Sequence, residues 1–159
     1  MKKLLTILCL FLLNSYSVEA ETALDPIDPT VLITGSNRGL GLEFSRQYAA
    51  AGWNVIATCR NPKKAKELQL LAEEYNQVAV EKMDVTSQPE VDFVADTYHD
   101  QPIDVLLNNA GIYGTLEKQA LGTFDFEELK RVFDVNTIGS LRVSAAFIGN
   151  VIASDQKKI

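Results

Sequence analysis

Eight residues, Thr34-Gly35-Ser36-Asn37-Arg38-Gly39-Leu40-Gly41, limit what this chain can fold into more than any others. They stand between a short apolar run, Thr30 to Thr34, and a stretch of helical periodicity that Gly52 closes. In that stretch Leu40, Phe44 and Tyr48 recur every four residues, which predicts one helical face. A strand that turns into a helix within a few residues needs backbone freedom, and glycine supplies it. Glycines there also let a ligand approach the main chain closely. The first N–H groups of the helix, unpaired within it, carry the positive end of its dipole. The segment therefore predicts an anion site, suited to a pyrophosphate, at the first strand-to-helix junction.

The same alternation runs on down the chain. Trp53 to Thr58 is predicted as a second strand, and Pro62 opens a second helix with Ala65, Leu68, Leu71, Ala72 and Tyr75 inward. Val78 to Val85 is a third strand, and Val91, Val94, Ala95 and Tyr98 mark a third helix. Ile103 to Leu107 is a fourth strand, and Phe126, Leu129, Phe133 and Asn136 start a fourth helix that runs to about Ser154. Strands alternating with helices specify βαβ units, and right-handed crossovers place helices on both faces. The expected fold is α/β, a Rossmann-type doubly wound parallel sheet, incomplete at about four strands in the order 3-2-1-4. Its 159 residues make one domain, 30–159.

Residues 1–20 differ in kind. Lys2 and Lys3 precede an apolar run from Leu4 to Leu13, and Val18 and Ala20 stand three and one before a possible cut. This reads as a signal peptide or an N-terminal anchor, the run being shorter than the ~20 residues a bilayer span needs. Residues 21–29 follow as a polar linker with two prolines. Cleavage would make the protein secreted or periplasmic; retention would leave it membrane-anchored or cytoplasmic. A membrane partner is expected only if residues 1–20 stay. A net charge of -6 argues against a nucleic-acid partner. Cys9 and Cys59 are the two cysteines, so a cleaved chain would hold no internal disulfide. His99 reads as a surface residue, and no metal-ligand cluster is expected.

The motifs resemble those of the short-chain dehydrogenase/reductase family. Thr-Gly-x-x-x-Gly-x-Gly at residues 34–41 has that family's spacing, and further landmarks follow in order. Asp84-Val85 ends the third strand, where the family's aspartate contacts the adenine ring. Asn108-Asn109-Ala110-Gly111 ends the fourth and resembles the segment that lines the cofactor ribose. Asn136 matches the asparagine that kinks the fourth helix and supports the proton relay. The wording around Arg60 resembles the carbonyl-reductase and C-factor-like branch.

The resemblance implies NADPH-dependent hydride transfer to a small carbonyl substrate. The cofactor-binding residues it implies are Gly35, Ser36, Asn37, Arg38, Gly39, Leu40, Gly41, Arg60, Asp84, Val85, Asn109, Ala110 and Gly111, with Asn136 as the catalytic-relay residue. NADP(H) is expected over NAD(H), which stays open. The second strand ends in Thr58-Cys59-Arg60-Asn61 with no acid to hold ribose hydroxyls, and Arg38 and Arg60 can grip a 2′-phosphate. The family also needs a serine on a fifth strand and a Tyr-x-x-x-Lys pair. No tyrosine here is followed by lysine four residues later, and Tyr113 and Lys118 are five apart. The chain is expected to lack the family's C-terminal part, which leaves strand four as an exposed apolar edge and the fold marginally stable. Two other readings stay open: a dinucleotide-binding module without catalysis, and a non-functional truncation product. The substrate and any homo-oligomer also stay open.

Overall fold

A computed structural model describes residues 24–25 and 27–159. The signal or anchor segment, 1–20, lies outside the described residues. Strands β1 (Thr30–Thr34), β2 (Asn54–Cys59), β3 (Val78–Lys82) and β4 (Val105–Leu107) form one parallel sheet. Their order, β3-β2-β1-β4, is the one the alternation predicts. Val31 pairs with Val55 on one side and Val105 on the other. A parallel sheet is covered on both faces, so β1 is apolar without alternation and all five of its residues are buried.

Pleating sends alternate side chains to two cores. Val31, Ile33, Val55 and Ala57 meet α1 (Gly39–Ala50) and α2 (Lys66–Glu74) through Leu42, Ala49, Leu68 and Leu71. On the other face Leu32, Ile56 and Leu106 meet Val91 and Val94 of α3 (Gln88–Thr97), together with Val143 and Phe147 of α5 (Ser140–Ala153). Each of the Val, Leu, Ile and Phe side chains among these, fully buried, contributes about 1.5–3 kcal/mol.

Several expected boundaries and faces move. The second strand begins at Asn54 rather than Trp53, whose ring packs edge-on against Tyr48 at 4.8 Å. The third ends at Lys82, so Asp84 and Val85 follow the strand instead of ending it. Asp84 peels the chain off the sheet by accepting the Thr86 N–H on Oδ1 at 2.9 Å, while its own N–H donates to Glu90 Oε2. Leu40 is 69% exposed; the inward face of α1 is Gly41, Leu42, Ser45 and Ala49. Phe126 and Phe133 are exposed as well.

The fourth helix is continuous over Phe126–Ala153, long and apolar enough by length and composition to cross a membrane. Here Val143, Phe147 and Val151 are buried against the sheet, as in the core helix of a globular domain. It comprises α4 (Phe126–Phe133), a π-helical turn at Asp134–Gly139 and α5. Asn136, expected to kink the helix, sits in that wide turn.

The described part of the linker touches the domain. Buried Asn54 donates through Nδ2 to the carbonyls of Asp25 (2.6 Å) and Asp28 (3.1 Å), and Leu24 packs on the second core. One further expectation is corrected: the free edge of β4 is not an open apolar strip, since Ile103 and Leu106 are buried. Lys158 returns beside it: the Leu106 N–H donates to the Lys158 carbonyl at 2.9 Å, and the Lys158 N–H donates to the Asp104 carbonyl at 3.0 Å. That is an isolated parallel rung, Val105 to Lys158.

Candidate functional site

The connections after β1 and β2 run toward one edge of the sheet, while the one after β3 crosses back to place β4 on the far side of β1. The crevice at the carboxyl ends of β1 and β4 is therefore the topological switch point, where such sheets bind ligands. A cleft of about 720 Å³ opens there. Its walls come from the ends of all four strands: Gly35 and Asn37 to Gly41 after β1, Cys59 and Arg60 at β2, Met83 to Val85 after β3, and Asn109 to Tyr113 after β4.

The glycine turn is held from below. Asn109 donates through Nδ2 to the carbonyls of Thr34 (2.8 Å) and Gly35 (3.2 Å), and the Ala110 N–H donates to Thr34 Oγ1 (2.9 Å). These bonds tie the Asn108–Gly111 landmark to the glycine turn and leave the N-terminal end of α1 facing the cleft. Close approach requires glycine at Gly41, where a Cβ would stand 2.4 Å from the Gly35 carbonyl oxygen and 2.5 Å from Asn109 Nδ2. Gly35 takes φ +71, and a Cβ there would lie 2.9 Å from Ala110 Cα.

Of the thirteen residues expected to bind cofactor, twelve line this one cleft. Ser36 is the exception. It is fully buried, its hydroxyl donates to the Ile33 carbonyl at 2.8 Å, and its N–H donates to the Thr58 carbonyl. Its side chain shapes the turn rather than the cleft wall. Arg38 and Arg60 are both exposed at the cleft, and neither pairs with a carboxylate among the described residues. Arg38 is also the N-cap of α1 and its side chain makes no cap bond, so its guanidinium remains available to an anion.

Asn136 stands behind the wall. Its Oδ1 accepts the Ile112 N–H (2.9 Å) and its Nδ2 donates to the Ile112 carbonyl (2.8 Å), a two-way clasp on the two peptide units that flank one residue. The π turn brings it there, so its visible role is to hold the segment after β4 against the helix.

Sequence reasoning missed Cys59, Met83, Ile112, Tyr113 and Val135, which also line the cleft. The first four adjoin strand-end landmarks, and that adjacency was the available signal; Val135 has only its neighbour Asn136 to mark it. Burial pushes the Cys59 thiol pKa up, so it acts as an apolar wall rather than a nucleophile. His99 is exposed beside Asp100, as expected. Among the described residues no group of His, Cys, Asp and Glu could hold a metal ion.

Comparison with known proteins agrees with this geometry. The short chain dehydrogenase family model matches residues 29–159. A short chain dehydrogenase of Penicillium aethiopicum is 36% identical over 124 residues, covering 75% of this chain and 49% of that protein. An NADPH-bound carbonyl reductase from chicken fatty liver superposes with a TM-score of 0.72 at 31% identity, over 78% of this chain and 52% of that one. A carbonyl reductase from Pseudomonas aeruginosa in complex with NADP gives a TM-score of 0.72 at 31% identity, over 77% and 56%. The chain thus spans about half the length of the relatives it matches. With the family model covering all four strands and the glycine turn, this chain belongs to the short-chain dehydrogenase/reductase family.

Proposed function

We propose that this chain is the cofactor-binding part of an NADPH-dependent reductase of small carbonyl compounds, similar to the carbonyl reductases. The observation that carries the proposal is the cradle at Gly35–Gly41, a turn folded so tightly on itself that a Cβ at Gly41 would stand 2.4 Å from the Gly35 carbonyl oxygen, and lining the cleft where α1 begins. Such a cradle fits a pyrophosphate: the amides at the start of α1 bind it, and the dipole of α1 adds to the attraction. Arg38 and Arg60 line the same cleft, and the second strand ends without a carboxylate that would repel a 2′-phosphate. Asp84 and Val85 would hold the purine and Asn109 to Gly111 the ribose, since all five line the same cleft. When bound, the dinucleotide supplies a hydride. The chain's own residues bind it, orient it and keep the Ile112 segment in place through Asn136.

Among the described residues no tyrosine is followed by lysine four positions on, so this site accounts for holding the dinucleotide and not for protonating a carbonyl oxygen. That favours, for the chain by itself, binding of the dinucleotide without turnover.

The test is a fluorescence titration of the full chain with NADPH and NADH. The expected result is NADPH bound at least about ten-fold more tightly, and Arg60→Ala removing most of that preference while leaving NADH unchanged. Charge-assisted hydrogen bonds of about 1.5–3 kcal/mol give that range. Equal affinity for both would end the assignment of the two arginines. Binding of neither would end the proposal.

A further inference from the structure

The peptide units around Asp84 are pinned from three sides, by Glu90, by the turn at Thr86 and Ser87, and by Arg142. The Asp84 N–H donates to Glu90 Oε2, and its carbonyl accepts the Ser87 N–H. Its Oδ1 accepts both the N–H (2.9 Å) and the hydroxyl (2.8 Å) of Thr86. The Val85 carbonyl accepts Nη1 of Arg142 on α5, and Nη2 of the same guanidinium lies 3.5 Å from Asp134 Oδ1 in the π turn. Arg142 is only 17% exposed and does not line the cleft. Gly139 lets the helix come this near, since a Cβ there would lie 2.7 Å from Val85 Cγ2. Among the described residues, Asp84 Oδ2 and the Val85 N–H are left without partners, and both residues line the cleft.

A nearly buried guanidinium is costly unless its donors are used, and here one donor is spent on a single main-chain carbonyl. An acceptor beside a donor is the complement of the adenine edge, which offers its 6-amino group and accepts at N1. Hypoxanthine reverses both, presenting O6 as acceptor and N1–H as donor. Building on the dinucleotide reading, we propose that Arg142 is a positioning residue for the purine. It ties the Val85 carbonyl to α5 and thereby holds Asp84 and Val85 as a fixed acceptor–donor pair that selects adenine.

The experiment titrates the full chain, and its Arg142→Met and Arg142→Lys variants, with NADPH and with its hypoxanthine analogue. Wild type is expected to favour NADPH about ten-fold. Arg142→Met is expected to bind NADPH about ten-fold more weakly and the analogue almost unchanged, so that the preference disappears. Arg142→Lys, whose ammonium reaches one partner at a time, keeps part of it. An unchanged preference in either variant overturns the proposal, and so does an equal loss for both ligands, the mark of a merely structural role. If Arg142→Met does not fold, the folded Arg142→Lys gives the decision by the same ratio. Wild type that binds both ligands without preference overturns the role of the pair alone; wild type that binds neither sinks the dinucleotide reading, and this inference with it.

Discussion

Gly41→Ala and Gly39→Ala separate steric need from backbone preference inside one turn. At Gly41 the added carbon would lie 2.4 Å from the Gly35 carbonyl oxygen, 2.5 Å from Asn109 Nδ2 and 2.9 Å from the Gly35 carbonyl carbon. Ordinary contacts of this kind lie near 3.5 Å, so either α1 retreats by about 1 Å or the turn opens. Overpacking of that sort costs about 1–3 kcal/mol, and loss of the Asn109 bonds to the turn adds about 1 kcal/mol. The sum, about 2–4 kcal/mol, corresponds to a fall of about 10 °C in Tm for a domain of this size. At Gly39 nothing lies within 4 Å of an added carbon, and only the φ of +58 opposes alanine. Left-handed strain alone is about 1–2 kcal/mol. Trp53, the one tryptophan, reports unfolding by fluorescence. Gly41→Ala is expected to be the less stable variant and to lose NADPH binding, with Gly39→Ala intermediate in stability. A Gly41→Ala protein as stable as Gly39→Ala, still binding NADPH, would refute the close-approach argument.

Removing the clasp by Asn136→Ala is expected to cost about 1–2 kcal/mol and to speed hydrogen exchange at Ile112 and in the loop that follows, while β1 and β2 stay protected; unchanged exchange there would contradict the clasp. Acid should loosen the start of α4. The Arg131 guanidinium, then the Thr115 N–H, hold Glu128 at about 2, below its ordinary 4.5, and Lys118 beside Asp125 lowers that carboxyl too. Because these folded values lie below the unfolded ones, the stability they give is complete above about pH 4.5 and is lost as pH falls toward about 2. The urea midpoint should fall across that window, less steeply in Glu128→Gln; a flat profile in wild type would contradict it.

The strands and their order were legible because β1, β2 and the start of β3 are short apolar runs between glycines, prolines and turns, a pattern fixed by burial on both faces. The site was legible because its landmarks sit at strand ends, where the topology gathers them. What the sequence concealed was orientation. Leu40, Phe126 and Phe133 have helical spacing, yet all three are exposed. The inward positions of α1 include Ser45 and Ala49, small residues that let the helix lie close to the sheet and that an apolar count undervalues. The π turn has no signature in composition; the Asn136 side chain reaches from within it to Ile112, 24 positions away. The capture of β4 by Lys158 was equally hidden, since one parallel rung between residues 53 positions apart leaves no local pattern. Ser36 carries the right motif letter, but its hydroxyl is spent on the Ile33 carbonyl.

An amide-resolved NMR titration of the full chain with NADPH reaches the glycine turn itself. The amides of Gly35 to Gly41 should shift first and most, together with Asp84, Val85, Ala110 and Gly111, and Arg60 should respond to NADPH but not to NADH. Shifts confined to other faces of the sheet, or none at saturating NADPH in a folded protein, would contradict the assignment of this cleft.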